Sequence, residues 1–218
     1  MERAYAQMLL NSLYAGLVKP WRRHNAPLLL IGLDCGVSPM LFWEAGFDVT
    51  VADPSEERIR AAKSETGSRV EYYCSKPDSL PFEDGKFVCS VTAFTEENTI
   101  DALQEAARVA AEGMAAAARS PLYKAKSQNC PGNLAVLSPR IPRDLFGDAS
   151  ALLRKYAVCP LPFSPLLDFG FNKKVMPLPV GVFWGLRAEF RPVSASPAGI
   201  LRSVFKKMVP ASAQPGTD

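Results

Sequence analysis

Residues 28–63 read LLLIGLDCGVSPMLFWEAGFDVTVADPSEERIRAAK, and this stretch decides the fold. The apolar run at 28–31 is closed by Gly32, which is typical of a buried strand in a parallel sheet. Residues 37–45 suit a helix, and Gly46 is well placed to end it. A strand, a glycine loop and a helix in this order predict the first half of a βαβ unit.

The alternation of strands and helices continues beyond this stretch. Further strands are predicted at 49–52, 70–74, 87–92 and 180–190, and helices at 56–66 and 97–111. Residues 114–118 fall where a fifth strand is due, although alanine favours a helix by intrinsic propensity. We therefore predict an α/β fold, with a Rossmann-like, mostly parallel sheet and helices on both faces.

The prolines divide the chain into two parts of different character. Of the 19 prolines, six lie in residues 1–120 and thirteen in residues 121–218. Residues 121–142 are expected to be a long irregular connection, and a helix is predicted at 143–155. Residues 1–27 predict an amphipathic helix packed on the domain, with a lid over a substrate and a helix at a membrane surface as alternatives.

The composition excludes several classes of protein. Among the 218 residues, basic side chains outnumber acidic ones by 25 to 22, which gives no case for electrostatic nucleic-acid binding. The chain has one histidine, His24, and five cysteines without a C-x-x-C pair, so we expect no metal site. Because the cysteine count is odd and we find no secretory signal, we expect a cytoplasmic protein with reduced thiols.

The candidate ligand site lies at the carboxyl ends of the predicted strands, where open parallel sheets bind their ligands. Gly32, Asp34 and Gly36 follow the first strand, and Asp53 ends the second. Glycines let the backbone approach a nucleotide, and an acid about 20 residues later can accept hydrogen bonds from ribose hydroxyls. Two alternatives stay open: the glycines could serve only a tight turn, and Asp53 could simply be an acid at the start of the next helix.

This arrangement resembles the class I S-adenosylmethionine-dependent methyltransferases, specifically the small type 11 group. Their pattern is strand, G-x-G-x-G, helix, Gly, strand, Asp, and the middle glycine is Asp34 here. Further similar segments are AGFDVTV at 45–51, DPS at 53–55, SLPFEDGKF at 79–87 and AARV at 106–109. The resemblance covers roughly residues 28–120, and more loosely 178–188, where it implies a terminal strand that we expect to be antiparallel.

The resemblance implies methyl transfer from the sulfonium of S-adenosylmethionine to an O, N, S or C atom, with the protein mainly aligning the reactants. It implies that the glycine loop approaches the methionine part, the acid after strand two holds the ribose, the next loop flanks adenine and the end of strand four borders the methyl group. The corresponding cofactor-binding residues are Gly32, Asp34, Gly36, Asp53, Pro54, Asp78, Ser79, Thr92 and Phe94. No catalytic acid or base is assigned.

These interpretations give a division of the chain and a function. We expect an N-terminal helix at 1–27, a methyltransferase-like domain at 28–193 and a basic, flexible tail at 194–218. Within the domain, 28–120 would be the cofactor half and 121–193 the side that recognises the acceptor. Because that second part contains many apolar residues, we expect a small hydrophobic acceptor. The alternative is a catalytically lapsed domain that serves as a binding module, which the altered glycine loop favours.

Overall fold

In a computed structural model, the described residues form one seven-stranded sheet with helices on both faces. The described residues are 3–95, 100–121, 131–136, 151–158, 175–177 and 181–190. The helices are α1 (Arg3–Val18), α2 (Met40–Glu44), α3 (Glu56–Thr66) and α4 (Ile100–Arg108). The strands are β1 (Ala26–Ile31), β2 (Phe47–Asp53), β3 (Val70–Cys74), β4 (Phe87–Ala93), β5 (Ala110–Arg119), β6 (Ala151–Val158) and β7 (Phe183–Phe190).

The order of strands across the sheet is β3-β2-β1-β4-β5-β7-β6. Strands β1 to β5 pair in parallel, whereas β7 runs antiparallel to both β5 and β6. This confirms the predicted Rossmann-like sheet and its antiparallel strand near the end. After β3 the chain returns to the other side of β1, so strand order reverses between β1 and β4. The carboxyl ends of these two strands therefore form the crevice in which such sheets bind ligands.

Two hydrophobic clusters cover the two faces of the sheet. On one face, α1 buries a stripe of apolar side chains against the sheet, including Leu9, Leu13 and Leu17. On the other face, Leu103 and Ala106 of α4 pack with the opposite side chains of the strands. The helix at the N-terminus thus packs on the domain with its apolar side buried. Among the helices that the structure describes, none is both long and apolar enough to cross a membrane.

The helix predicted at 143–155 is wrong where the structure describes it. Residues 151–155 belong to β6, which pairs with β7 along its whole length, and 143–150 lie outside the described residues. Pairing with an edge of the sheet overrides local helix preference here, because each residue of β6 has a partner in β7.

The predicted helix at 97–111 also extends too far. Helix α4 ends at Arg108, and Ala110 already pairs with Phe87 in the sheet. The alanine-rich β5 lies buried between β4 and β7, where small side chains fit. This burial and pairing outweigh the helix propensity of alanine. A Cβ added at Gly113 would contact the Ala188 carbonyl and the ring of Trp21, which shows how closely the neighbouring elements approach β5.

Candidate functional site

The glycine loop leaves the carboxyl end of β1 at the point where strand order reverses. Gly32 and Gly36 have φ angles of 84° and 76°, and a single 3-10 turn, Leu33–Cys35, lies between them. These angles favour glycine because a Cβ would be strained there. The backbone conformation of the turn is therefore enough to explain why both positions carry glycine, and binding of a ligand is not needed for it.

Asp53 connects this loop with the start of α3. Its carboxylate is fully buried, and Oδ2 accepts a hydrogen bond from the Leu33 amide at 2.7 Å. The other oxygen, Oδ1, accepts from the Ser55 amide at 2.7 Å. The Arg58 guanidinium lies 3.0 Å from Oδ1 and 3.2 Å from Oδ2 through Nε. Asp53 therefore accepts hydrogen bonds from residues at the start of α3, as one of the two alternatives expected. It also fixes the glycine loop through the Leu33 amide.

A short segment, residues 131–136, lies across the loop; we call it the strap. The Asn133 amide donates to the Asp34 carbonyl at 2.9 Å, and the Ala135 amide donates to the Phe94 carbonyl at 2.7 Å. The Arg119 amide donates to the Ala135 carbonyl at 3.0 Å. The strap therefore runs from the glycine loop, past the end of β4, to the end of β5.

The two residues predicted to border the methyl group are buried at the end of β4. The Thr92 hydroxyl donates to the Ile31 carbonyl of β1 at 3.3 Å. The Phe94 ring is 7% exposed and lies 5.7 Å from the Trp184 ring, measured between centroids. Both side chains therefore join the core, whereas the Phe94 carbonyl holds the strap.

Helix α1 contributes a residue that sequence reasoning missed. The hydroxyl of Tyr14 is fully buried and lies 3.2 Å from both the Cys35 and the Thr92 carbonyls. Burial, followed by the nearby Cys35 and Asp34, raises the pKa of Tyr14 well above its ordinary value. In the sequence Tyr14 is one member of an apolar helix face, so no local signal distinguishes it from a core residue.

The loop after β3 carries Asp78 and Ser79, whose side chains are both exposed, as Pro54 is after β2. This loop adjoins β2, since the Ser75 amide donates to the Asp53 carbonyl at 3.2 Å. The predicted adenine-flanking residues thus border the same edge of the sheet as the glycine loop.

Arg108 fixes the continuation of that loop. Its guanidinium donates to the Leu80 and Phe82 carbonyls at 3.1 and 2.8 Å and to Asp84 at 2.7 Å. It also pairs with Glu105 at 2.7 Å, and hydrogen bonding to this arginine lowers the pKa of Glu105. The segments SLPFEDGKF and AARV, which are far apart in sequence, are therefore two halves of one hydrogen-bonded unit.

An open groove of about 450 Å³ lies between α1 and the glycine loop. Its α1 wall carries Arg3, Gln7 and Asn11, and Pro131 and Gly132 of the strap form part of the opposite wall. The Gln7 side chain donates to the Gly36 carbonyl at 2.6 Å, so it fixes the loop as well. The open space next to the glycine loop is accordingly lined by polar groups on its α1 side.

One family model matches part of the chain. Residues 31–117 match the family model described as "Methyltransferase domain". No curated protein sequence matches the chain. Among solved structures, a protein from Methanococcus maripaludis and the PH0226 protein from Pyrococcus horikoshii are matched over only 54% and 51% of their own length.

Two solved structures share the fold over most of the chain. An S-adenosylmethionine-dependent methyltransferase from Aquifex aeolicus is 17% identical, with a TM-score of 0.53, and the match covers 88% of this chain and 100% of that one. A Haloferax volcanii protein assigned as a methyltransferase, in complex with the Trm112 methyltransferase activator, is 13% identical. Its TM-score is 0.56, and the match covers 83% of this chain and 89% of that one.

Proposed function

We propose that the protein is a class I S-adenosylmethionine-dependent methyltransferase that transfers a methyl group to a small hydrophobic acceptor, starting from the match of residues 31–117 to the methyltransferase-domain family model. The family implies S-adenosylmethionine as the cofactor. The observation that carries the proposal is the position of Asp53: it ends β2 beside the reversal of strand order and is hydrogen-bonded to the glycine loop.

The chemistry of these groups matches the cofactor, but the space in front of them is taken. The Asp53 carboxylate accepts hydrogen bonds from the Leu33 and Ser55 amides, and Nε of Arg58 lies within hydrogen-bond distance of both oxygens. The Arg58 side chain is 38% exposed, so it can rotate away into solvent. Asp53 would bind the ribose hydroxyls only after that rotation, and the cofactor would supply an activated methyl group.

The apolar character of the acceptor rests mainly on the sequence of residues 163–176. Of these, 175 and 176 are described: a Cβ added at Gly16 of α1 would lie 2.6 Å from Cγ2 of Val175, so Val175 packs on α1. That contact supports an acceptor site near α1. We keep a small-molecule acceptor in the cytoplasm as the proposal, in keeping with the free thiols of Cys35, Cys74 and Cys89.

Calorimetry with S-adenosylmethionine and S-adenosylhomocysteine tests the proposal. We expect the wild-type protein to bind at least one of them and D53N to bind about tenfold more weakly or less, because an amide accepts fewer hydrogen bonds than a carboxylate. D48N is the matched control, since Asp48 is an exposed residue of the same strand. Equal affinity of D53N and the wild type would remove Asp53 from the ribose site.

A second candidate function is a catalytically lapsed domain that acts as a binding module. It is favoured by the same self-contacts: Arg58 covers Asp53, and a Cβ added at Gly32 would lie 2.7 Å from the Asp34 carboxylate. Absence of binding and of any thermal shift with both ligands, in the wild type, in R58Q and in variants that release residues 131–136 from the glycine loop, would support this candidate and contradict the enzyme.

A further inference from the structure

We propose that the strap, residues 131–136, competes with S-adenosylmethionine for the glycine loop, so that the cofactor binds only when the strap is released. This inference rests on the proposed function and adds a regulatory step to the same site. It makes the described structure the closed state of the protein.

The strap occupies the face of the loop that the glycines leave open. A Cβ added at Gly36 would lie 2.7 Å from the Pro131 carbonyl oxygen, and one added at Gly132 would lie 2.6 Å from the Gly36 Cα. The two backbones are therefore in van der Waals contact. A ligand that used the same close approach to Gly36 would overlap the strap.

The strap also uses the hydrogen-bonding groups around the crevice. It takes the Asp34 carbonyl through the Asn133 amide and the Phe94 carbonyl through the Ala135 amide, at 2.9 and 2.7 Å. These carbonyls belong to the loops after β1 and β4, which are the two strands that flank the reversal of strand order. The strap therefore lies in the crevice itself, where a ligand would need the same space.

Within the described residues, the strap has fewer attachments than a core strand, and this favours its release. Leu134 is its buried apolar anchor, with 5% exposure in the α1-side cluster. Gly132, Asn133 and Val136 are exposed on the surface. Among the described residues, the strap is held by the buried Pro131 and Leu134, by the half-buried Ala135 and by three backbone hydrogen bonds, and a segment attached in this way opens at a lower free energy than the core strands do.

The first test compares two leucine truncations. L134A weakens the strap anchor, whereas L103A removes the same atoms from α4, where Leu103 is 4% exposed and packs on the other face of the sheet. Both variants lose a buried leucine, so their general destabilisation is similar. Because closing the strap reduces the fraction of competent protein, we expect L134A to bind S-adenosylhomocysteine at least tenfold more tightly than the wild type, and L103A to match the wild type.

Hydrogen exchange gives a readout that does not depend on activity. In the wild type we expect added S-adenosylhomocysteine to increase exchange at the Asn133 and Ala135 amides, while the amides of β1 become more protected. A ligand that binds with the strap in place would protect both regions. G132V supplies an independent variant, since a side chain at Gly132 would meet the Asp34 carbonyl and the Gly36 amide and so displace the strap.

The outcomes separate this inference from the function on which it rests. Binding by the wild type with unchanged or weaker binding by L134A and G132V would overturn the competition and leave the methyltransferase proposal standing. Binding by L134A or G132V alone would support a strap that is closed almost completely in the wild type. Absence of binding in all four proteins, each verified as folded by circular dichroism, would overturn the proposed function and the competition together.

Discussion

Replacing Tyr14 by phenylalanine removes one hydroxyl at the junction of α1, the glycine loop and β4. The ring stays apolar and keeps its edge-on contact with Phe42, whose centroid is 6.2 Å away. Only the hydrogen bonding to the Cys35 and Thr92 carbonyls is lost. Y14F therefore tests whether this fully buried hydroxyl fixes the glycine loop to the sheet.

The expected loss of stability follows from the geometry. The hydroxyl has one hydrogen for two carbonyls at 3.2 Å, so the two contacts count as one shared hydrogen bond of ordinary strength. Leaving a buried acceptor without its donor costs roughly 1–3 kcal/mol, and the long distances favour the lower half of that range. We expect the free energy of unfolding to fall by about 1–2 kcal/mol at pH 7, with a melting temperature lower by about 3–6 °C.

Urea unfolding gives the measurement, read as a shift of the midpoint at constant slope. Y73F is the matched control, since the Tyr73 side chain is 38% exposed and should tolerate the change. The pH dependence adds a second signature. Burial raises the pKa of Tyr14 above the ordinary value of 10.0, so the folded state keeps the proton that the unfolded state releases as pH rises. Above about pH 10 the free energy of unfolding of the wild type therefore falls because of Tyr14, and that of Y14F shows no such fall.

The difference in the free energy of unfolding between the wild type and Y14F should therefore have its full value below pH 10 and become smaller above it. A loss of less than 0.3 kcal/mol, on the order of the error of such measurements, would refute the structural role of the hydroxyl. A difference that stays constant up to pH 11 would show that Tyr14 titrates as it does in the unfolded chain, and this would contradict its burial.

Three further predictions concern other parts of the fold. R108Q should lower the free energy of unfolding by about 2–3 kcal/mol in urea titrations, because the loop carbonyls and carboxylates lose a charged donor. In the folded protein, peptide mapping after thiol labelling should find Cys74 modified and Cys35 unmodified, since Cys74 is exposed and burial raises the pKa of Cys35 to about 12. G113A should cost about 3 kcal/mol or more by thermal unfolding, because a Cβ would press on Trp21 and on the backbone of β7.

Each of these has a control within the chain. R60Q alters an exposed arginine of α3 and should change the stability by less than about 0.5 kcal/mol; an equal effect of both arginine variants would contradict the role of Arg108. Rapid labelling of Cys35 without denaturant would show that its loop opens readily. G46A adds a Cβ that meets nothing within 4 Å, so it should cost less than G113A.

The order of the elements from β1 to α4 was predictable because each of them has its own periodicity and its own end signals. Residues 56–66 form the predicted helix α3, with Ser55 as its N-cap and a glycine after its end. The errors fall where pairing in the sheet competes with local preference. Residues 110 and 111 carry alanines, which favour a helix, yet they extend β5 because β4 supplies a partner.

The candidate site was predictable in its positions and not in its contacts. The two loop glycines follow β1 and Asp53 ends the neighbouring β2, as the spacing suggested. That Arg58 covers Asp53 depends on a side chain one turn into α3, and many exposed arginines of helices have no such partner. Tyr14 and the strap contact the loop from positions about 20 and 100 residues away in sequence.

The sequence by itself determined the fold class and the family resemblance, because hydrophobic periodicity, glycine positions and the acid after β2 are local properties of the chain. Only the tertiary structure decided what faces the glycine loop. Contacts between segments that are distant in sequence depend on how the elements pack in three dimensions. No local pattern in the sequence predicts that Pro131 and Gly132 lie against Gly36. The missing Cβ of Gly36 admits this second stretch of backbone at close range, and the proposed cofactor would need the same space.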